Sequence, residues 1–317
     1  MKHLKSLTIN SLIIAMLLFL FSACQEDSSI TEPTGGSDYD QIQKVISDDE
    51  VIQSFEPNYN EEEAMDLLTN GLAKTIYPVR VGQKMVLVNK NIDINIQGDS
   101  AYAFVTNTFK GILFIAASFD EFSTVDSNTV DTLIQKKFTA TTTRNVVLVK
   151  RNNAINPLRN WKIVKISLPE GGVLTENIKI TKMSIYLPNG NEIVVDSPND
   201  YYLTRDPGLR HQLPIIGRGE EVTIRMEVRS KYADDDFVTL TWGAFRSGRH
   251  HRSKKLFELV SSEFDGQYYN KVYENTWRAN YYPGFKHAII NAMPKQVIHD
   301  DETPVETSTW GIPYLVL

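Results

Sequence analysis

The last quarter of the chain holds the side chains best able to bind a metal ion. They are His250, His251, His287, His299, Asp300 and Asp301. Imidazole and carboxylate groups together can bind zinc or another transition metal. Their spacing matches no zinc motif, in which ligands come in close pairs at a fixed register. Arginines and lysines also surround the first histidine pair. The pattern therefore favours a solvated basic loop, and we expect no metal site.

A run of three acids, Asp234 to Asp236, supplies the oxygen ligands that calcium prefers. The alternating spacing, central glycine and closing glutamate of an EF-hand loop are missing, so a solvated turn between two strands is the favoured interpretation. The sequence also lacks a glycine-rich phosphate loop, a G-x-S-x-G motif and an HExxH motif. We therefore assign no catalytic residue and expect no cofactor.

A dense aromatic group, YYNKVYENTW over 268–277 followed by Tyr281 and Tyr282, is the strongest candidate for a binding surface. Exposed tyrosine and tryptophan rings stack on sugars or become buried at protein interfaces. In a strand, alternate members of the group would instead point into the core. The residues predicted to form an interface are Tyr269, Tyr273, Trp277 and Tyr281.

The chain contains a single cysteine, Cys24, directly after its most apolar run. Lys2 and Lys5, the apolar residues 12–21 and the small residues before Cys24 have the three-part layout of a secretory signal peptide. The run is too short to span a bilayer. Phe21-Ser22-Ala23-Cys24 resembles the lipobox of bacterial lipoproteins. The resemblance implies removal of residues 1–23 and acylation of Cys24. The alternative is an ordinary cleaved signal with a chance cysteine.

Cleavage before Cys24 would leave 31 basic and 39 acidic residues, a net charge of −8. An acidic surface argues against nucleic acid as a partner. Acylation of Cys24 would leave no thiol for a disulfide. Residues 24–38 are polar and contain Pro33, Gly35 and Gly36, a composition typical of a flexible tether.

The hydrophobic period changes along the first half of the chain. Residues 39–74 have helical spacing, with Ile42, Val45 and Ile46 on one face. Ile92, Ile94 and Ile96 then alternate with polar residues as in a half-buried strand. Helices followed by a meander of strands predict an α+β layout, with the helices packed on one face of an antiparallel sheet.

The order of these segments carries a second resemblance. Helices, then IDINIQGDSAYAFVTNTF, KKFTATTTRNVVLVKR and WKIVKIS, resemble the NTF2-like fold, a curved sheet wrapped on helices into a cone. The resemblance covers about residues 39–172 and implies a ligand pocket at the open end of the cone. The residues predicted to line that pocket are Tyr102, Phe104, Phe109, Phe114 and Arg144.

The second half reads almost entirely as strand and turn. Val222, Ile224, Met226 and Val228 alternate with polar residues. The run 178–187 changes phase near Thr181, which predicts a β-bulge, and residues 188–191 have turn composition. These patterns predict a β-sandwich over 173–317 that resembles the Ig-like domains of secreted bacterial proteins. We place the domain boundary after Gly172.

These observations predict a lipid-anchored protein of the cell envelope, at the outer membrane and attached through acylated Cys24. They favour non-catalytic binding or scaffolding, with a protein or glycan as partner and no nucleic acid. The alternative is an enzyme or small-ligand-binding protein that uses the cone pocket. An enzyme needs an acid and a hydrogen-bond donor that converge on one point of a deep pocket, so the geometry discriminates between the two.

Overall fold

In the computed structural model the fold begins with three short helices, α1 (Asp38–Ser47), α2 (Glu50–Gln53) and α3 (Phe55–Tyr59). The structure describes residues 37–61, 77–118, 130–151, 160–205, 213–243 and 253–317. The predicted signal peptide, Cys24 and the tether before residue 37 lie outside the described residues. Among the described helices, none has the length and apolar character needed to cross a bilayer.

A large sheet and a small sheet make up most of the described chain, and nearly all of their pairings are antiparallel. The large sheet contains β1 (Tyr77–Gln97), β2 (Ser100–Ser118), β3 (Thr132–Lys150), β4 (Trp161–Ser167), β5 (Glu170–Val173), β8 (Tyr202–Thr204), β9 (Ile215–Ile216), β11 (Phe237–Trp242), β12 (Ser253–Leu256), β15 (Gly284–Met293) and β16 (Thr307–Val316). The small sheet contains β6 (Ile178–Tyr186), β7 (Glu192–Val195), β10 (Glu221–Ser230), β13 (Glu258–Phe264) and β14 (Tyr269–Arg278). A 3₁₀ helix (Pro198–Asp200) and α4 (Gln296–His299) complete the described elements.

The small sheet packs on part of the large sheet as a β-sandwich. Alternate residues of β10 point inward, as the sequence predicts, and meet alternate residues of β16, β15 and β11. Each large apolar side chain buried in this way contributes about 1.5–3 kcal/mol. The inward residues of β10 and β16 are Val222, Ile224, Met226, Val228, Trp310, Ile312, Tyr314 and Val316.

The helices cover an inner face of the large sheet. Ile42 and Ile46 of α1 are buried against Leu148 and Trp161, on β3 and β4. Phe55 and Tyr59 of α3 form a second cluster with Phe109 and Ile289. Since Ala288 and Ile290 face the sandwich core, β15 is covered on both faces, by the small sheet and by the helices.

Strand β5 joins the two halves of the chain in one sheet. Residues 170–172 pair with Thr143 to Thr141 of β3 on one side, and residues 170–173 pair with β16 on the other. The boundary predicted after Gly172 therefore falls inside a strand that is paired on both edges. Residues 38–317 form one compact unit, whose sheet runs through both predicted domains.

Candidate functional site

Ser54, His287 and Arg144 form a buried polar chain beneath α2–α3 that resembles, at first sight, a serine–histidine pair. The Oγ of Ser54 lies 2.7 Å from Nδ1 of His287. Nη2 of Arg144 lies 3.5 Å from Nε2 of the same ring. All three residues are at most 3% exposed.

The direction of the hydrogen bonds is opposite to the one that nucleophilic catalysis needs. A guanidinium group can only donate hydrogen bonds, so Nε2 of His287 must accept from Arg144. The neutral imidazole ring of His287 therefore carries its proton on Nδ1. Nδ1–H then donates to Ser54, whose hydroxyl donates in turn to the Val51 carbonyl at 3.0 Å. A catalytic histidine would instead accept the serine proton. These hydrogen bonds therefore connect the end of α2 to β15. They do not activate Ser54 as a nucleophile.

Acidification should weaken the fold through His287. Burial and the nearby Arg144 charge hold the pKa of His287 well below its usual 6.5. The unfolded chain takes up this proton as the pH falls through about 6.5, whereas the folded chain does not. The contribution of neutral His287 to the free energy of unfolding is therefore present above that pH and lost below it. The loss is about 2 kcal/mol between pH 7 and pH 5.

Urea unfolding of the parent and of His287→Gln at both pH values measures this loss. The variant should lack the part of the pH dependence that comes from His287. A ring-proton NMR titration of the parent provides a second test that needs no variant. A folded-state His287 pKa near 6.5 would contradict the account.

Glu61, just after α3, is the centre of a second buried network. Its carboxylate accepts from Thr241 Oγ1 at 2.6 Å, from Lys254 Nζ at 2.7 Å and from Asn291 Nδ2 at 3.3 Å. The side chains of Glu61 and Lys254 are 3% and 7% exposed. The partners come from β11, β12 and β15, so Glu61 binds the helical segment to three strands. Both carboxylate oxygens are occupied by protein donors.

A third network holds the start of β11. Lys271 Nζ lies 3.0 Å from Asp236 Oδ2 and also donates to the Asp234 carbonyl, and both charged side chains are fully buried. The Tyr273 hydroxyl accepts from the Asp236 backbone N–H at 2.7 Å, and Ser230 donates to Oδ1 at 2.9 Å. Burial raises the pKa of Asp236, against the Lys271 charge and hydrogen bonds that lower it. The expectation that all three aspartates are solvated is wrong for Asp236.

The predicted interface group divides between surface and core. Tyr273 is 1% and Trp277 is 4% exposed, so neither is available to a partner, which corrects their assignment to an interface. They point inward because β14 pairs with β10 and turns its odd-numbered residues toward the sandwich core. Tyr281 is 71% exposed. Tyr269 is half-buried against Phe264 at 4.7 Å between ring centroids.

The residues predicted to line a cone pocket lie on opposite faces of β2 and β3. Phe109 and Arg144 are buried on the inner face, where Phe109 packs edge-on to Tyr59. Tyr102, Phe104 and Phe114 occupy even-numbered positions of β2 and point to the other face, where Tyr102 and Phe104 are 49% and 42% exposed. A strand cannot turn both sets toward one pocket, so the prediction of a shared pocket is wrong.

A cavity of about 740 Å³ lies beside the sandwich core, where three separate segments meet. The first is the turn between β6 and β7 with the start of β7, the second runs from the 3₁₀ helix into β8, and the third leads into β9. The lining residues are Leu187, Asn189, Asn191, Glu192, Ile193, Asp200, Tyr201, Tyr202, Leu203, Leu213, Pro214 and Ile215. We refer to it as the β6–β9 cavity.

The β6–β9 cavity has an apolar floor and a polar rim. Leu187, Ile193 and Leu213 are half-buried and pack on the sandwich core. Asn189, Asn191, Glu192 and Asp200 are exposed around them. The cavity therefore offers a ligand both apolar contacts and hydrogen-bonding groups.

Two adjacent tyrosines form one wall of the β6–β9 cavity. Burial raises the pKa of Tyr201. Burial and the Asp200 charge raise the pKa of Tyr202, against a hydrogen bond with Asn145. Both hydroxyl groups therefore stay neutral over the physiological range.

Sequence reasoning did not find this cavity. The turn at residues 188–191 is predicted and confirmed, but nothing in the pattern brings it near Tyr201 or Pro214. The adjacent pair Tyr201-Tyr202, between an acid and a strand, was the available signal. The sequence contains two similar pairs, Tyr268-Tyr269 and Tyr281-Tyr282, so the pattern alone does not show which pair lines a cavity.

The histidines considered as metal ligands have different positions. His287 is buried in the chain already described, and His250 and His251 lie outside the described residues. Across the described ranges, no three His, Cys, Asp or Glu side chains are grouped closely enough to hold a metal ion.

Comparisons of this chain with protein-family models, with curated proteins and with solved structures give no match. The role of the β6–β9 cavity is therefore argued from its geometry.

Proposed function

We propose that this protein is a non-catalytic binding protein of the cell envelope, anchored to the outer membrane by acyl chains on Cys24. Its ligand binds in the β6–β9 cavity. The observation that carries the proposal is the cavity itself, which combines about 740 Å³ of space with half-buried apolar residues and exposed polar ones. We further propose that the helix-covered hairpins and the sandwich represent an NTF2-like and an Ig-like unit joined through β5.

Two of the three buried networks support binding over catalysis. Ser54 and Glu61 are candidates for a nucleophile and a general base, yet each is saturated by protein partners. Neither residue lines the β6–β9 cavity. The alternative of an enzyme with a cone pocket loses support because its predicted lining residues do not face a common space. The acidic balance of the mature chain favours a partner other than nucleic acid.

A fluorophore at the cavity rim tests the binding function. Replacing Cys24 with serine removes the chain's single cysteine, so Asn191→Cys then provides one labelling position. Asn191 lines the cavity and is exposed. We expect solubilised envelope extract to change the fluorescence of this label, because a bound ligand removes water from the rim, and we expect the eluted ligand to have an unchanged mass.

The matched control is Asn95→Cys in the same background, at an exposed position of β1. Its label should not respond. Equal responses at both positions, no response at Asn191, or turnover of the ligand would each contradict a binding function of the β6–β9 cavity.

Removal of the acylation site should release the protein from the membrane. Cys24→Ser leaves no thiol to carry acyl chains, and several chains are needed for stable anchoring. We expect the parent in the membrane fraction and the variant in the soluble fraction, measured by fractionation and immunoblotting. Co-sedimentation of Cys24→Ser with membranes to the same extent as the parent would refute the lipid anchor.

A further inference from the structure

We infer that the β6–β9 cavity binds a neutral oligosaccharide segment, which makes the ligand an uncharged glycan of the envelope. This inference rests on the proposed binding function of the cavity and names the chemical class of its ligand. It is carried by the charge of the lining, its division into ring faces and hydrogen-bonding groups, its unused polar atoms and its size.

The charge of the lining disfavours an anionic ligand. Glu192 and Asp200 both contribute to the wall, and the residues identified in the lining include no lysine, arginine or histidine. Within the described part of the lining, these two carboxylates repel phosphate, sulfate and carboxylate groups. A hydroxyl group is instead a good donor to a carboxylate, and such charge-assisted hydrogen bonds are about twice as strong as neutral ones.

The lining matches the two chemical surfaces of a sugar ring. Tyr201 and Tyr202 contribute aromatic side chains to the lining, and Leu187 and Ile193 contribute aliphatic ones. The C–H face of a pyranose ring packs on such surfaces, while tyrosine also keeps a polar end. The hydroxyl groups at the edge of the sugar then reach the amides and carboxylates of the rim, which both donate and accept.

Several rim groups retain free hydrogen-bonding capacity. Within the described residues, no hydrogen bond joins the side chain of Asn191 or Glu192 to another residue. Asn189 uses its Oδ1 to accept from the Asn191 backbone at 3.0 Å, which leaves its amide N–H groups for a ligand. Asp200 accepts from Ser197 at one oxygen, at 2.8 Å. These groups are exposed and already lie at the rim, so a polyol can bind without breaking protein contacts.

The size of the cavity favours a narrow chain over a protein surface. About 740 Å³ lies within the range of roughly 300–1,000 Å³ that small-ligand sites occupy. A stable protein interface instead buries about 800 Å² on each partner, spread over a broad surface. A short run of sugar residues fits the observed space and its concave shape.

The labelled Asn191→Cys protein in the Cys24→Ser background distinguishes the ligand classes. The probe is solubilised envelope extract, used untreated, after digestion with a broad protease, or after periodate oxidation of vicinal diols. We expect the response to survive protease and to disappear after periodate. Loss with protease and survival after periodate would mean a protein ligand, which overturns this inference while the binding function stands. A response that survives both treatments also overturns it.

A second measurement uses the periodate-sensitive, protease-resistant oligosaccharides from the same extract. Tyr202→Ala should bind them about 30-fold more weakly than the parent, which is the loss expected for an aromatic anchor at a binding hot spot. Tyr202→Phe keeps the ring and should retain most of the affinity. Tyr102→Ala removes an exposed tyrosine from the outer face of β2 and should bind like the parent. Unchanged binding by Tyr202→Ala, with its fold confirmed by thermal unfolding, would overturn the inference.

Discussion

Replacing Asp236 with alanine should destabilise the protein by about 3–5 kcal/mol, because it leaves the Lys271 ammonium group buried without a partner. Both side chains are fully buried and lie 3.0 Å apart. The loss also removes acceptors for the hydroxyl groups of Ser230 and Tyr273. The free energy of unfolding from urea titration, compared with that of the parent, measures the effect.

Asp235→Ala is the matched control, since it changes the preceding and exposed aspartate. A surface substitution of this kind should change stability by less than about 0.5 kcal/mol. The double variant Asp236→Leu with Lys271→Met removes both charges and should recover part of the loss. Equal effects of Asp235→Ala and Asp236→Ala would show that the buried ion pair has been assigned wrongly.

Gly172→Ala should lower the free energy of unfolding by about 4 kcal/mol or prevent folding. A loss of this size is found only for the most disruptive substitutions. Gly172 has a φ of +118°, a conformation that residues with a Cβ rarely adopt. A Cβ at this position would lie 2.4 Å from the backbone oxygen of Thr307 on β16. The backbone at Thr307 cannot move away as a flexible side chain can. Strands β5 and β16 would therefore have to separate.

Gly190→Ala separates the effect of the positive φ from the effect of the close contact with Thr307. Gly190 also has a positive φ, +82°, but a Cβ there would meet no atom within 4 Å. Its substitution should therefore cost only the conformational penalty of about 1–2 kcal/mol. Thermal unfolding of both variants gives the comparison. If Gly172→Ala is no worse than Gly190→Ala, the close pairing of β5 with β16, and with it the single sheet across residue 172, is contradicted.

Local features of the sandwich could be predicted because they depend on residues close in sequence. The alternation in β10 correctly predicts its buried face. The change of phase in β6 predicts the extra residue at Thr181, which is confirmed by the register shift between Lys182 and Ile180 opposite β10. In each case the pleat of a strand determines which side chains share a face.

The inward face of β14 could not be predicted from the same rule. A period of two shows which residues lie together, but it does not show which set is buried. The buried set contains Lys271 and Asn275 as well as Tyr273 and Trp277, so its composition resembles that of a surface. Lys271 is buried because Asp236, 35 positions away, supplies its counter-charge, and this pairing leaves no signal in the spacing.

The β6–β9 cavity and the β5 junction were missed for a related reason. Each depends on contacts between distant parts of the chain, such as Gly172 beside Thr307 or Tyr202 in register with Ser167. The domain boundary was predicted at the two glycines 171 and 172. Here they allow the close approach of β3 and β16 on either side.

Hydrogen exchange of the Cys24→Ser chain, with and without the periodate-sensitive oligosaccharides of the envelope extract, is the most direct test of the β6–β9 cavity as the binding site. Bound ligand is expected to slow exchange in residues 187–193 and 200–203, the two segments that contain most of the lining residues. No change is expected in β13, whose residues are almost all exposed. Slower exchange confined to another surface, such as β2 or residues 269–282, or no change anywhere, would show that the ligand does not bind in the β6–β9 cavity.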